Sequence, residues 1–215
     1  MATTEEMDRM YRLQRYFYDA TRKYYLLGRD RLLREMALQA GDRVLEIGCG
    51  TARNLIVLAR QRPDVACYGL DASHEMLATA ANKVARRGLE ARITLRPCLA
   101  EELDRARTFG LDQPFDAAFF SYSLSMIPTW PEAIAAALAN LKPHATLYVV
   151  DFWDQDDWPG WFRALLKKWL DLFHVVHRPE LLEHLRELDA RGVGKLTLEP
   201  VAGRYAYLAT FRKLS

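Results

Sequence analysis

Val44-Leu45-Glu46-Ile47-Gly48-Cys49-Gly50-Thr51-Ala52 decides the fold. An apolar run with an acid near its carboxyl end meets two glycines, and a helical pattern follows. The reading is a buried strand, a tight turn and a helix start. Two turn residues without a Cβ let the backbone approach a ligand closely. In an open α/β sheet, ligands bind in the crevice beyond the carboxyl ends of the strands. A dinucleotide site would need Gly-x-Gly-x-x-Gly, so that pyrophosphate rests on the helix N-terminus. Here Arg53 holds the third glycine's slot, and Glu46 brings negative charge to the place of a pyrophosphate. The turn therefore favours a cationic cofactor.

On both sides of the turn, strand and helix patterns alternate, which implies a parallel sheet. Strands are expected at Arg43–Ile47, Ala66–Leu70, Ile93–Arg96, Ala117–Tyr122 and Thr146–Phe152. Helices are expected over Ala52–Arg62 and Ser73–Arg87, with another entered at Pro131. Ser73 reads as an N-cap and Gly88 as a helix stop. Lys195–Pro200 and Tyr205–Arg212 read as a closing hairpin around Gly203.

Composition narrows the class. The chain has 215 residues, 50% hydrophobic and 27% charged, which suits one soluble α/β domain. A net charge of +2 argues against a general nucleic-acid binder. Cys49, Cys67 and Cys98 lack metal-ligand spacing, so no metal is expected; core packing and a reducing cytoplasm suit them better. Met1–Met10 is polar and acidic, without the apolar region of a signal peptide, and no apolar run is long enough to span a bilayer.

The opening stretch resembles motif I of the class I S-adenosylmethionine methyltransferases, Glu/Asp-x-Gly-x-Gly-x-Gly. Glu46, Gly48 and Gly50 match, and Ala52 replaces the third glycine. The resemblance implies a Rossmann-like α/β fold, a seven-stranded and mostly parallel sheet with an antiparallel last strand and helices on both faces. It also implies S-adenosylmethionine as cofactor and S-adenosylhomocysteine as product. Asp71, at the end of the second strand, matches the ribose-binding acid; a cap on the following helix is the alternative, and the two roles are compatible. After the third strand the family often has Gly-Asp-Ala-Glu, with the aspartate reading adenine. This chain has Cys98-Leu99-Ala100-Glu101, so apolar packing, the Ala100 backbone and Glu101 are the alternatives for adenine. Residues from Phe119 to Pro128 follow the fourth strand, facing methyl donor and acceptor in the family, and lack the Asn/Asp-Pro-Pro-Tyr/Phe of nucleic-acid base methylation. The cofactor set so implied includes Arg29, Glu46, Gly48, Cys49, Gly50, Asn54, Asp71, Ala72, Ser73 and Met76. Leu99, Ala100, Ser121, Tyr122 and Met126 complete its later part, with Tyr18 and Tyr25 from the N-terminal segment.

Two amphipathic segments bear on the acceptor. Between Met7 and Leu27, Met10, Leu13, Phe17 and Tyr24 recur at helical spacing, with Arg12, Arg15, Arg22 and Lys23 opposing them. Such a segment suits an anionic membrane surface, and equally a helix that covers the cofactor. A second segment, Trp158–Phe173, carries Trp161, Leu165, Trp169 and Leu172 on one face. Residues 1–40 are read as a helical cap on a catalytic domain spanning 41–215.

Tyr18–Asp30, Phe120–Pro128 and Trp161–Val175 resemble the bacterial betaine-lipid N-methyltransferases, relatives of enzymes acting on phosphatidylethanolamine. What that resemblance implies is successive N-methylation of diacylglyceryl-homoserine to diacylglyceryl-trimethylhomoserine, by an enzyme peripheral to the inner membrane face. The attacking nitrogen must be neutral and collinear with methyl and sulfur. Candidate proton acceptors are Asp19, Asp151, Asp154 and His174, or a chain of water. Tyr18, Tyr25, Tyr122 and Trp153 are candidates for cation–π contacts, and Arg29 or Lys23 for a carboxylate or phosphate. A soluble small-molecule methyltransferase and a non-catalytic cofactor-binding protein remain alternatives, and the oligomeric state stays open.

Overall fold

A computed structural model describes residues 26–160 and 178–215 of the chain. A short helix α1 (Arg29–Glu35) precedes β1 (Arg43–Ile47), α2 (Arg53–Gln61), β2 (Ala66–Asp71), α3 (His74–Ala85) and β3 (Ile93–Pro97). A 3₁₀ turn at Ala100–Glu102 and α4 (Arg105–Phe109) lead to β4 (Phe115–Ser121) and α5 (Trp130–Ala139). Then come β5 (Leu141–Phe152), α6 (Pro179–Ala190), β6 (Gly194–Val201) and β7 (Ala206–Lys213).

The seven strands form one sheet in the order β3-β2-β1-β4-β5-β7-β6. The first five are parallel; β7 runs antiparallel to both of its neighbours. The fold is thus the Rossmann-like one expected, with flanking helices on both faces. Strand order turns back at β1, whose two sides pair with β2 and β4. That reversal opens a crevice at the carboxyl ends, where such sheets bind ligands.

Period-two alternation along β1 explains how one acid reaches this crevice. Leu45 and Ile47 enter the core shared with Phe120, Ile134 and Phe211. Val44 enters the opposite core with Leu33, Leu55 and Leu58, and Glu46 points to that same side. A parallel strand buried on both faces reads as a nearly continuous apolar run, so an acid within it stands out.

Most boundaries agree with the sequence reading to within two residues. Ser73 caps α3, its hydroxyl accepting the Met76 N–H at 3.2 Å. Strand β5 begins at Leu141 rather than Thr146, with a register shift between Phe115 and Ala117 on β4. Pro143 and His144, the latter at φ 62°, interrupt the periodicity there and concealed the strand start. Helix α6 was not foreseen, although Pro179 at its first turn and buried Leu181, Leu182 and Leu185 signal it. Among the described residues no helix is long and apolar enough to cross a membrane.

Candidate active site

The glycine turn is a left-handed staircase. Gly48, Gly50 and Ala52 have φ of 74°, 52° and 58°. The N–H groups of Gly48 and Cys49 both donate to the Leu70 carbonyl at 2.9 Å, tying the turn to β2. Asp71 Oδ2 accepts the Gly50 N–H at 2.7 Å, and its Oδ1 accepts the Ser73 N–H at 2.9 Å. Asp71 therefore holds the turn and the entry to α3 together. Two of a carboxylate's roughly four acceptor positions are used, leaving capacity for hydroxyls. Ala52 accepts a conformation that costs a non-glycine residue about 1 kcal/mol. Beside the turn, a Cβ on Gly69 would meet Leu55 Cδ1 at 2.6 Å and Cys49 Sγ at 3.0 Å.

A cavity of about 660 Å³ lies beyond these strand ends. It gathers Arg29, Glu46, Gly48, Cys49, Gly50 and Asn54 from the first strand and its neighbours. Asp71, Ala72, Ser73 and Met76 form another wall, Leu99 and Ala100 a third, and Ser121, Tyr122 and Met126 a fourth. Tyr18, Tyr25 and His174 lie outside the described residues, as do Asp19, Lys23 and most of both amphipathic segments. Thr51, Ser123 and Thr129 also line the cavity and were not singled out from the sequence. Among the described residues, no cluster of three His, Cys, Asp or Glu could hold a metal.

Glu46 is the electrostatic centre of the cradle. It is 2% exposed, and Oε1 accepts from Asn54 Nδ2 at 2.7 Å. Its Oε2 is buried with no hydrogen-bond partner among the described residues. Burial pushes its carboxyl up to about 8, against the opposing effects of Asn54 and nearby Arg29 and Arg53. An orphaned acceptor at a cavity wall calls for a cationic or donor group from a ligand. S-adenosylmethionine fits: Glu46 would hold its ammonium end, Asp71 its ribose hydroxyls, and the glycine turn its closest backbone approach. Asp71→Ala removes the acceptor of two backbone N–H groups as well as the ribose partner. We expect affinity for S-adenosylhomocysteine to fall about 10- to 100-fold by titration calorimetry; unchanged affinity would refute the assignment.

Several expected site residues have other work. Asp151 does not line the cavity. It is 2% exposed and accepts the backbone N–H groups of Ser125 at 3.1 Å and Phe152 at 2.8 Å. The candidate proton acceptor Asp151 thus has both carboxylate oxygens engaged by backbone N–H groups. Asp154 pairs with Arg204, whose guanidinium stacks 5.0 Å from the Trp153 ring, and neither Asp154 nor Trp153 reaches the cavity. Tyr122 lines the cavity, but its hydroxyl donates to the Leu27 carbonyl at 2.6 Å. Burial raises that phenol well above its usual range, and its ring packs edge-on against Phe152 at 4.7 Å. Tyr122 is thereby a wall rather than an acid or base. Ser121, just before it, has a buried hydroxyl without a partner among the described residues. Cys49 and Cys67 are buried thiols shifted upward by desolvation, which keeps them unreactive.

Residues 18–196 match the model of a methyltransferase-domain family. The chain is 35% identical over 120 residues to a phosphatidylethanolamine N-methyltransferase of Cereibacter sphaeroides, covering 55% of each protein. It is 29% identical over 143 residues to a ubiquinone/menaquinone biosynthesis C-methyltransferase of Geobacter sulfurreducens, covering 63% of this chain and 53% of that one. The chain thus spans about half the length of these curated relatives. Among solved structures, a SAM-dependent methyltransferase from Aquifex aeolicus aligns with a TM-score of 0.63 at 20% identity, covering 90% of this chain and 93% of that one. The apo S-adenosylmethionine-dependent methyltransferase SibL aligns with a TM-score of 0.69 at 20% identity, covering 93% and 58% respectively. At such identities these structures speak for the fold alone. With the family model matching residues 18–196, this chain belongs to the methyltransferase-domain family, and its sheet is that of the class I fold.

Proposed function

We propose that the protein is a lipid N-methyltransferase that acts at a membrane surface, with the amine of diacylglyceryl-homoserine as acceptor. The observation that carries this reading is the mouth of the cavity. Leu99 and Met126 are 45% and 43% exposed, and both lie on the cavity wall. Ile127 and Pro128 continue the same apolar side. Large exposed apolar side chains cost solvation unless they meet something apolar. A mouth of this kind suits an acceptor whose headgroup enters the cavity while its chains stay outside. The N-methyltransferase name of one relative supports an amine acceptor and makes phosphatidylethanolamine the competing headgroup.

When bound, S-adenosylmethionine supplies an electrophilic methyl on a sulfonium centre. The chain's own part is positioning, electrostatics and water exclusion. Glu46 and Asp71 fix the cofactor side, while the unpartnered Ser121 hydroxyl offers a polar contact to the incoming amine. The amine must shed a proton in each cycle, and a chain of water is the acceptor proposed for it.

The test is methyl incorporation from labelled S-adenosylmethionine by the full chain. Acceptors offered are diacylglyceryl-homoserine, phosphatidylethanolamine, and free homoserine and ethanolamine, with the lipids in mixed micelles or anionic vesicles. We expect turnover of diacylglyceryl-homoserine and co-sedimentation with anionic vesicles. Methylation of the soluble amines alone, without vesicle binding, would sink the lipid reading.

A further inference from the structure

The acceptor wall of the cavity is a short turn, and two buried contacts set its place. Backbone N–H groups of Met126 and Ile127 both donate to the Ser123 carbonyl, at 3.0 and 3.1 Å. The Ser123 hydroxyl donates to the Ile47 carbonyl at 2.8 Å, pinning the start of the turn to the end of β1. Two residues on, Ser125 is gripped at both backbone atoms. Its N–H donates to Asp151 Oδ2 at 3.1 Å, and its carbonyl accepts from Arg178 Nε at 3.4 Å. Met126, Ile127, Pro128 and Thr129, which follow directly, line the cavity.

We propose that Asp151 is a positioning residue for methyl transfer, fixing the Ser123–Thr129 turn so that its apolar side chains stand at the acceptor mouth. Its effect on the acceptor rests on the reading of that mouth given above. An ionised carboxylate accepts only, and here its two oxygens take two backbone N–H groups. A protonated carboxyl has an O–H to place and can no longer serve both equally. The groups that face it are Ser125 from the β4–α5 turn, Phe152 on its own strand, Arg178 ahead of α6, Tyr122 at the end of β4 and Tyr207 on β7. Tyr207 stands opposite Asp151 in the strand register, and its hydroxyl is buried without a partner among the described residues. Burial pushes the Asp151 carboxyl up to about 6, so the hold on Ser125 weakens within an accessible pH range. The turn is firm above that value and loosens below it.

Amide hydrogen exchange on the full chain, corrected for intrinsic chemical rates, tests this without any acceptor. Exchange in the segment 121–130 should speed up about tenfold in wild type between pH 7 and pH 5, and by as much at pH 7 in Asp151→Asn. Exchange in the glycine cradle, and calorimetric affinity for S-adenosylhomocysteine at pH 7, should change less than about twofold. Arg178→Gln, which releases the Ser125 carbonyl, should move the same amides and stands in should Asp151→Asn not fold. Unchanged exchange at 121–130, or equal loosening of the cradle, overturns the proposal. With diacylglyceryl-homoserine in mixed micelles, Asp151→Asn should raise the acceptor KM and leave the cofactor KM in place. Should wild type methylate neither that lipid nor phosphatidylethanolamine, the lipid reading fails, and the exchange data still decide the role of Asp151.

Discussion

Glu46→Gln is expected to stabilise the ligand-free protein at pH 8 and to remove its thermal response to cofactor. The folded-state carboxyl is held up to about 8 against an ordinary value of 4.5. For an acid raised in this way, the unfolded chain loses its proton first as pH increases. Below 4.5 both states are protonated and burial of Glu46 carries no ionisation cost. Between 4.5 and about 8, each pH unit destabilises the fold by about 1.4 kcal/mol, and the cost levels off above. Glutamine keeps the acceptor for Asn54 and has no charge to bury. The variant should therefore match wild type in Tm near pH 4.5 and exceed it by several degrees at pH 8. Its amide nitrogen, in place of the unpartnered Oε2, is a donor and repels an ammonium. Calorimetric melts with and without S-adenosylhomocysteine check both halves. A wild-type Tm that does not fall across this window relative to the variant, or a variant that keeps its ligand shift, would contradict the assignment.

Gly48→Ala should be the most damaging single methyl that can be added to the cradle. At φ 74°, left-handed backbone alone costs a side chain about 1 kcal/mol. Ala52 shows that the chain tolerates such a cost nearby. What separates the two positions is space. A Cβ on Gly48 would lie 2.6 Å from the Ser123 Cβ. Ser123 cannot retreat without stretching its buried bond to the Ile47 carbonyl, worth about 1–3 kcal/mol when left unmade. We expect a loss of about 3 kcal/mol in denaturant unfolding and a drop of more than about 100-fold in cofactor affinity. A loss under about 1 kcal/mol with affinity intact would show that the turn has room.

The parallel sheet and the cofactor wall were legible because their signals are local. Gly48 and Gly50 announce a turn, Asp71 ends an apolar run, and Ser73 precedes a helical pattern. The roles of Tyr122, Asp151 and Asp154 were not legible, since they depend on partners far along the chain. Asp151 meets Ser125, and Tyr122 reaches back to Leu27. An aspartate at a strand end beside a catalytic cleft looks the same in sequence whether it faces ligand or backbone. Ser123 was passed over for a similar reason. Its importance lies in a contact with β1, and a serine-rich turn by itself signals only a turn. Helix α6 has a local signal of four leucines, but it lacks the Trp and Phe side chains that mark the segment before it.

The reversal of strand order at β1 has a consequence for how the molecule holds together. The glycine turn, Asp71 and Leu99 belong to the half of the chain that builds β1 to β3, whereas Ser121 to Thr129 belong to the half that starts at β4. The cavity straddles the joint between these halves. A bound ligand touching both is a clasp, and its binding energy is added to the docking of one half on the other. The pocket is complete only when that long-range pairing is made, so cofactor affinity also reports, in a refolding chain, the moment the two halves close.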